Sequence, residues 1–583
     1  MDQAGGQRAA ASTGRLEHGA VALARSQVQP DARPSGGDQR LAGEAPREVH
    51  RPLTRGDPTV SNWIYEFENQ VHHRGREIAI IHNDQARTYD ELNRSAAAFA
   101  HWVRERSATR VATYLTNCYE FYIAEFGTLK AGAESVAANY MFGEQTLRYV
   151  LRDSSADVLV VADKDLPAAR AAIQGTEVRH LVTLDGPSGD GVTALADIVA
   201  GYPHYIESAP KDDHDLFNIT YTSGTTGTPK GVMKTHRNIG AHVSNLVHAW
   251  KLSPASRWLC AGPVYHTSGL ESSSLPVLAA GGSVISLRWQ KDAFFRLVDR
   301  YRPDSAYIAG SMVVDIADYP HPERFDLGSL RQVIAGGAPM PARAYQKVLD
   351  RYSFVLCERL GMTEAGIIFV DKVGRPGAYE PREELPAHIA GSCGSPLYNQ
   401  TQFRLIDVVT GEVRQEGEGE LQVRGDSVFA GYLNMPERTA QSFTEDGWYI
   451  SGDIVQIENG HARHLRRRDE IIISGGENVS PRTVENVVSA HPDVVEAAAF
   501  PLPHERWGQQ VCVAVVVRVA SSVTPTELLE FCSSGGKLAR YEIPKQIFFT
   551  DELPKTPTQS VPRAKLTERY AAVRKPEPET AHD

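Results

Sequence analysis

Cysteine is scarce in this sequence and nowhere clustered. Cys118, Cys260, Cys357, Cys393, Cys512 and Cys532 are scattered over 583 residues with no C-x-x-C pair. That argues against a disulfide framework and against structural zinc, and it fits a reducing cytoplasm. Long apolar runs are missing as well. None approaches the ~20 residues needed to span a bilayer, and the N-terminus lacks the apolar core of a signal peptide. Excess positive charge is also missing: the formal net charge is −11, so bulk charge does not favour a nucleic-acid surface. No internal repeat is visible.

What is present is ordinary globular composition, 42% hydrophobic and 8% aromatic, in a chain too long for one core. Residues 1–56 are rich in Ala, Gly, Arg, Gln and Pro with little periodicity, which predicts a disordered leader. Its interspersed Asp and Glu argue against a transit peptide. From "SNWIYEFENQV" onward, helical and strand patterns alternate. "YDELNRSAAAFAHWVRER" reads as an amphipathic helix, "VATYL" as a strand, "YEFYIAEFGTLKAGA" as a helix ending in Gly, and "DVLVVAD" as a buried strand. Such alternation, continuing to about Ile334, implies a parallel α/β core.

From Ala390 the texture changes to short strands with Gly turns, "QFRLIDVVTGEV" and "GELQVRGDSVFAGYL". After "HLRRRDEIII" a compact unit follows: helix "SPRTVENVVSAH", strands "VVEAAAFPL" and "VCVAVVVRV", and helix "PTELLEFC". The expected fold class is α/β: a large N-terminal domain of parallel sheets flanked by helices, plus a β-rich subdomain, over 57–467. A small α+β C-terminal domain is expected over 468–570, and a tail over 571–583.

The strongest local signal is "YTSGTTGTPKGV", Tyr221 to Val232, after the strand-like "DLFNIT" and before the helix-like "THRNIGAHVSNLVHAW". Its three glycines let backbone N–H groups approach an anion. The hydroxyls of Thr222, Ser223, Thr225 and Thr226 add donors, and Lys230 adds a cation. It lacks the Gly-Lys-Ser/Thr of the kinase and ATPase P-loop, since Pro229 precedes Lys230 and Gly231 follows it. The plainer alternative is a flexible Gly/Thr hinge.

The segment resembles the signature loop of the adenylate-forming superfamily, which includes acyl-CoA synthetases, peptide-synthetase adenylation domains and firefly luciferase. Further motifs follow in the family's order, so the resemblance covers roughly Ser61 to Leu566. It implies that the loop, including Gly224 and Gly227, holds the β- and γ-phosphates of ATP. "PVYHTSGL" resembles the segment lining the acyl pocket and points to His266. "AGGAPM" resembles the adenine loop and points to Gly336, Gly337, Ala338 and Pro339. "LGMTEAG" resembles Tyr-Gly-x-Thr-Glu, with Thr363 on the α-phosphate and Glu364 on Mg²⁺; Leu360 replaces the usual aromatic. "GWYISGDI" implies that Asp453 meets the ribose hydroxyls. "RRRDEIIISGGENVSP" resembles the hinge motif, with Arg467 on ribose or phosphate and Asp469 as the hinge of a mobile C-terminal domain. Taken singly, His266 reads as a structural histidine, Glu364 as a helix-capping acid and Arg466 to Arg468 as a solvated basic face. Their shared order raises them to functional candidates.

The family reaction forms an acyl-adenylate with release of pyrophosphate and then passes the acyl group to a nucleophile, usually CoA. The first step uses a lysine on a Pro-Thr-x-x-Lys loop. Here "LPKTPTQSVPRAKL" carries Ser560 at that position. Four accounts are open: substitution by Lys555, Arg563 or Lys565, a slow but competent enzyme, transfer from a supplied adenylate, or a state-trapping change. The leading expectation is a slow ATP-dependent carboxylate–CoA ligase using ATP, Mg²⁺ and CoA. The alternatives are an amide synthetase that passes the acyl group to an amine and a non-catalytic nucleotide binder. No carrier-protein domain is expected after Leu566. The acid pocket is expected to include His266, Thr267, Gly310, Ser311, Val314, Ala335, Gly336 and Met362. Small and apolar residues dominate it, which favours an aryl, acyl or alicyclic acid over an α-amino acid. Oligomeric state is left open.

Overall fold

The computed structural model describes residues 63–571, apart from 187, 223–228, 311, 338–341, 371–392, 394, 397–400, 475–476, 520, 535–537 and 556–560. Two large sheets dominate the first two-thirds. In the nine-stranded sheet, the strands from Ile78–His82 to Val355–Met362 pair in parallel through its middle. In the eight-stranded sheet, Arg110–Tyr114, Glu134–Ala137, Val158–Val161 and Leu216–Thr222 belong to the parallel run. Parallel strands are covered on both faces and so read as continuous apolar runs. Val158–Val161 is VLVV, with every residue buried.

The expected helices form where their signals lie. Tyr89–Glu105 starts at a capping box made by Thr88 and Glu91. Tyr119–Ala131 ends at Gly132. His236–Ala249 starts on Thr235, again with a capping box. The sequence did not signal the strand Lys230–Thr235, which stands between the Gly/Thr loop and that helix. It is defined by antiparallel pairing with Leu216–Thr222, with Thr222 opposite Lys230. Gly431–Tyr432 then adds to its outer edge.

Residues 401–467 supply the β-rich part, a five-stranded antiparallel sheet. The C-terminal sheet contains Val494–His504 and Gly508–Val517 as its long central pair. It is packed by Pro481–Ser489, Pro525–Ser533 and Arg563–Ala571. Its two cores draw only on residues from Ile472 onward, while the core of the β-rich part ends at Ala462. Among the described residues, no helix is long and apolar enough to cross a membrane.

Helix Tyr119–Ala131 is buried nearly all round and encloses Glu125, which is 1% exposed. Burial pushes its pKa up to about 7, against the hydrogen bond from Ser135 Oγ at 2.5 Å and with help from nearby Glu271. The folded state therefore binds a proton that the unfolded chain has already released. This stability is complete below the usual glutamate value and is lost as pH rises through 7. Glu125→Gln is expected to remove that slope, stabilising the chain at pH 8 by up to about 3 kcal/mol relative to its effect at pH 4. Urea unfolding of both proteins at the two pH values checks this, and equal differences would refute it.

Candidate active site

The site lies where parallel strands end, the position at which open α/β sheets bind ligands. Ser305–Ala309, Gln332–Gly336 and Val355–Met362 run side by side, with Ala309 opposite Gly336. Gly310 N donates to Gly336 O at 3.0 Å, joining two segments of the expected pocket. Val355–Met362 turns through Thr363, Glu364 and Ala365 into Gly366–Val370. Gly366 closes this turn at φ 72°, and a Cβ there would stand 2.3 Å from His242 Nδ1, so only glycine fits. Thr363 is buried and Glu364 half-buried.

Glu364 is fixed at both ends. Its carbonyl accepts from Phe429 N at 2.7 Å. Its Oε1 accepts from the Tyr432 hydroxyl at 2.9 Å. Lys230 Nζ lies 5.6 Å from the centre of the same Tyr432 ring. The fold thus brings the cation at the exit of the Gly/Thr loop and the carboxylate of the Thr-Glu turn to opposite parts of one tyrosine. Sequence reasoning missed Tyr432, although it lies in the "GYL" that closes a quoted strand segment.

On the β-rich sheet, Asp453 stands opposite Arg467. Its Oδ1 is 3.1 Å from Arg467 Nη1 and 3.0 Å from His464 Nε2. Burial works to raise this carboxyl's pKa, but Arg467 and His464 outweigh it and hold the group ionised. His464 was not foreseen. Its carbonyl accepts from Arg482 Nη1 at 2.7 Å, which ties the Pro481–Ser489 helix to this sheet.

His266 is half-buried in the 263–269 turn, where Ser268 N lies 3.4 Å from its Nδ1. Burial, then Lys234 and Arg359, push its pKa down to about 4, so the ring is neutral near pH 7. Beside it, Thr267 Oγ1 accepts from Lys234 Nζ at 3.2 Å. Other expected pocket residues are dispersed. Ala335 is fully buried in the core on the far face of the sheet with Ile308 and Val333, and Val314 packs against that core. Met362 packs against the core of the β-rich part, where Leu360 is also buried. Ser223, Gly224, Thr225, Thr226, Gly227, Ser311, Ala338, Pro339 and Ser560 lie outside the described residues. Asp469 falls in the short turn Arg468–Glu470. A groove of about 450 Å³ lined by Arg87, Glu91, Tyr119 and His204, among others, shares no residue with this site.

A lysine at the exit of a Gly/Thr segment and a carboxylate after a parallel strand, joined through one tyrosine, form a framework suited to a nucleotide-activating enzyme. The sequence matches the AMP-binding enzyme family over residues 67–433 and the AMP-binding enzyme C-terminal domain over 483–559. A feruloyl-CoA synthase of Amycolatopsis sp is 33% identical over 503 residues, spanning 84% of this chain and 96% of that protein. ATP-bound MatB from Rhodopseudomonas palustris is 28% identical with a TM-score of 0.79, covering 88% of this chain and 100% of that one. The amide bond synthetase McbA from Marinactinospora thermotolerans is 25% identical with a TM-score of 0.75, covering 87% and 99%. The chain belongs to the AMP-binding enzyme family and is an adenylate-forming ligase.

Proposed function

We propose that this ligase activates a small carboxylic acid with ATP and Mg²⁺ and then passes the acyl group to CoA. The observation that carries this reading is the convergence of Lys230 and Glu364 on Tyr432. The acid's carboxylate attacks the α-phosphorus and pyrophosphate leaves. Charge develops on phosphate oxygens, so the protein's work is positioning and electrostatic stabilisation. The loop after Thr222 and Lys230 hold the β- and γ-phosphates, and Thr363 meets the α-phosphate. Gly336 and Gly337 border the adenine, Asp453 accepts from the ribose hydroxyls, and Arg467 orients Asp453 and contacts ribose or phosphate.

Among the described residues, no cluster of three or more His, Cys, Asp or Glu side chains could hold a metal. The single carboxylate Glu364 fits Mg²⁺ that keeps its waters and substrate phosphates as the other ligands. When bound, that ion neutralises charge on the phosphates.

We place the domain boundary near Arg468, with Asp469 as the hinge, the catalytic domain over 57–467 and the lid over 468–570. The separate cores on either side support this division. Among the residues weighed as substitutes for the missing lysine, Lys555 is paired with Glu496 at 2.5 Å. Arg563 is held by Glu470 at 2.9 Å and Glu485 at 2.8 Å. Both are engaged within the C-terminal unit, which favours the slow-ligase account. All six cysteines are buried, in keeping with a cytoplasmic location.

The test is pyrophosphate release from ATP and Mg²⁺ with a panel of acids, followed by mass spectrometry of products formed with CoA and with amines together. Acyl-CoA is expected. Amide as the sole product would transfer the chain to the second reading, which the likeness to McbA supports. ATP binding without pyrophosphate release would reject both.

A further inference from the structure

Arg359 has no part in the functional reading above. It sits on the Val355–Met362 strand, four residues before Thr363, and is 8% exposed. Buried arginine is ordinarily matched by a carboxylate. Among the described residues no carboxylate pairs with Arg359, and its Nε is enclosed without an acceptor. The guanidinium lies over the ring of the buried Tyr307, 5.0 Å from its centre, and that tyrosine is a neutral group that cannot balance its charge. Gly336 makes room for it. A Cβ there would stand 2.7 Å from Arg359 Cγ and 2.8 Å from Nε. A buried guanidinium with no carboxylate to balance it therefore sits at the C-terminal ends of parallel strands, beside Gly336 and within electrostatic reach of His266.

We propose that Arg359 is the specificity residue of this ligase and binds a second anionic group on the acid. The substrate class is then a short carboxylic acid with a further oxyanion, a carboxylate or a sulfonate, at its other end. This rests on the ligase reading and names its substrate, narrowing the expectation of an aryl, acyl or alicyclic acid. An oxyanion supplies the counter-charge that Arg359 lacks, in the charge-assisted geometry that guanidinium groups favour. The four residues from Arg359 to Thr363 span at most about 13 Å, which limits the acid to a few carbons.

The experiment compares pyrophosphate release for succinate, glutarate, adipate and 3-sulfopropanoate with butanoate, pentanoate, hexanoate and benzoate, on the full chain and on Arg359→Gln and Arg359→Lys. The native chain is expected to favour an anionic-tailed acid over its uncharged counterpart by about 10²-fold or more in kcat/KM. Arg359→Gln is expected to erase that ratio, mainly through KM, and Arg359→Lys to restore part of it. Turnover by the sulfonate and the dicarboxylates separates the two sources of the oxyanion. Thermal unfolding gives a second readout. The best diacid alone should raise the Tm of the native chain but not of Arg359→Gln. Arg359→Gln should itself unfold no lower than the native chain, because it removes an unmatched buried charge. Preference for uncharged acids, or the same ratio in Arg359→Gln, overturns this inference and leaves the ligase reading standing. Release with no acid at all overturns the ligase reading, and the inference with it.

Discussion

Ser560→Lys is expected to raise the rate of pyrophosphate release by about 10²–10³-fold, the usual worth of one preorganised donor aimed at developing charge. The expectation combines a sequence observation with a structural one. The sequence places a serine where the adenylate-forming pattern has a lysine. The structure ties two of the three neighbouring cations, Lys555 and Arg563, to Glu496, Glu470 and Glu485. A hydroxyl is shorter than an ammonium and donates a neutral hydrogen bond, and charge-assisted bonds are about twice as strong. The gain should be confined to adenylation. Acyl transfer from a supplied acyl-adenylate, measured separately, should change by less than about threefold, because in the adenylate-forming pattern that lysine serves the adenylation orientation of the C-terminal domain. Equal rates of pyrophosphate release in the two proteins would show that Ser560 is a tolerated variation and that another group supplies the charge.

The parts of this site that were legible in the sequence are those made by contiguous residues. Thr363–Glu364, Asp453 and Arg467, candidates that the structure describes, each sit inside a short motif whose spacing is visible directly, while most of the Gly/Thr segment lies outside the described residues. The parts that were not legible are made by chain pairing. Tyr432 reaches Glu364 because Gly431–Tyr432 pairs with Val232 and Met233, about two hundred residues away. No local pattern encodes that pairing. The strand Lys230–Thr235 was hidden for a similar reason: "KGVMKT" has two lysines and a glycine, and only Leu216–Thr222 beside it makes it a strand. Arg359 adjoins a recognised motif, but a charged residue on a short strand reads as solvent-facing by default. Its burial follows from the glycine opposite, at position 336. Ala335 illustrates the reverse error. Its neighbour Gly336 does border the site, but alternation along the strand turns the Ala335 side chain into the other core.

Lys234→Met is expected to cost about 3–5 kcal/mol of stability, the range for removing one partner of a buried ion pair. Lys234 and Glu271 are 2% and 1% exposed and form a direct ion pair. Glu271 also accepts from Asn218 Nδ2 at 2.9 Å, and Lys234 also donates to Thr267 Oγ1 at 3.2 Å. With lysine gone, Glu271 is left as an uncompensated charge, and Glu125 nearby adds to the repulsion. Adding Glu271→Leu should recover most of the loss, because two apolar groups of similar volume leave no orphaned charge. A double-mutant cycle by urea unfolding then reports a coupling of several kcal/mol. A loss below about 1 kcal/mol in Lys234→Met would mean that water reaches the pair. The pair also has a positional task. Lys234 shares a strand with Lys230, and Glu271 follows His266 and Thr267 by one turn, so this contact joins the phosphate side of the site to the acid side. In the double variant, with stability recovered, kcat for adenylation should still fall by about tenfold or more, since small misplacements of reacting groups are costly. Recovery of both stability and rate would confine the ion pair to folding.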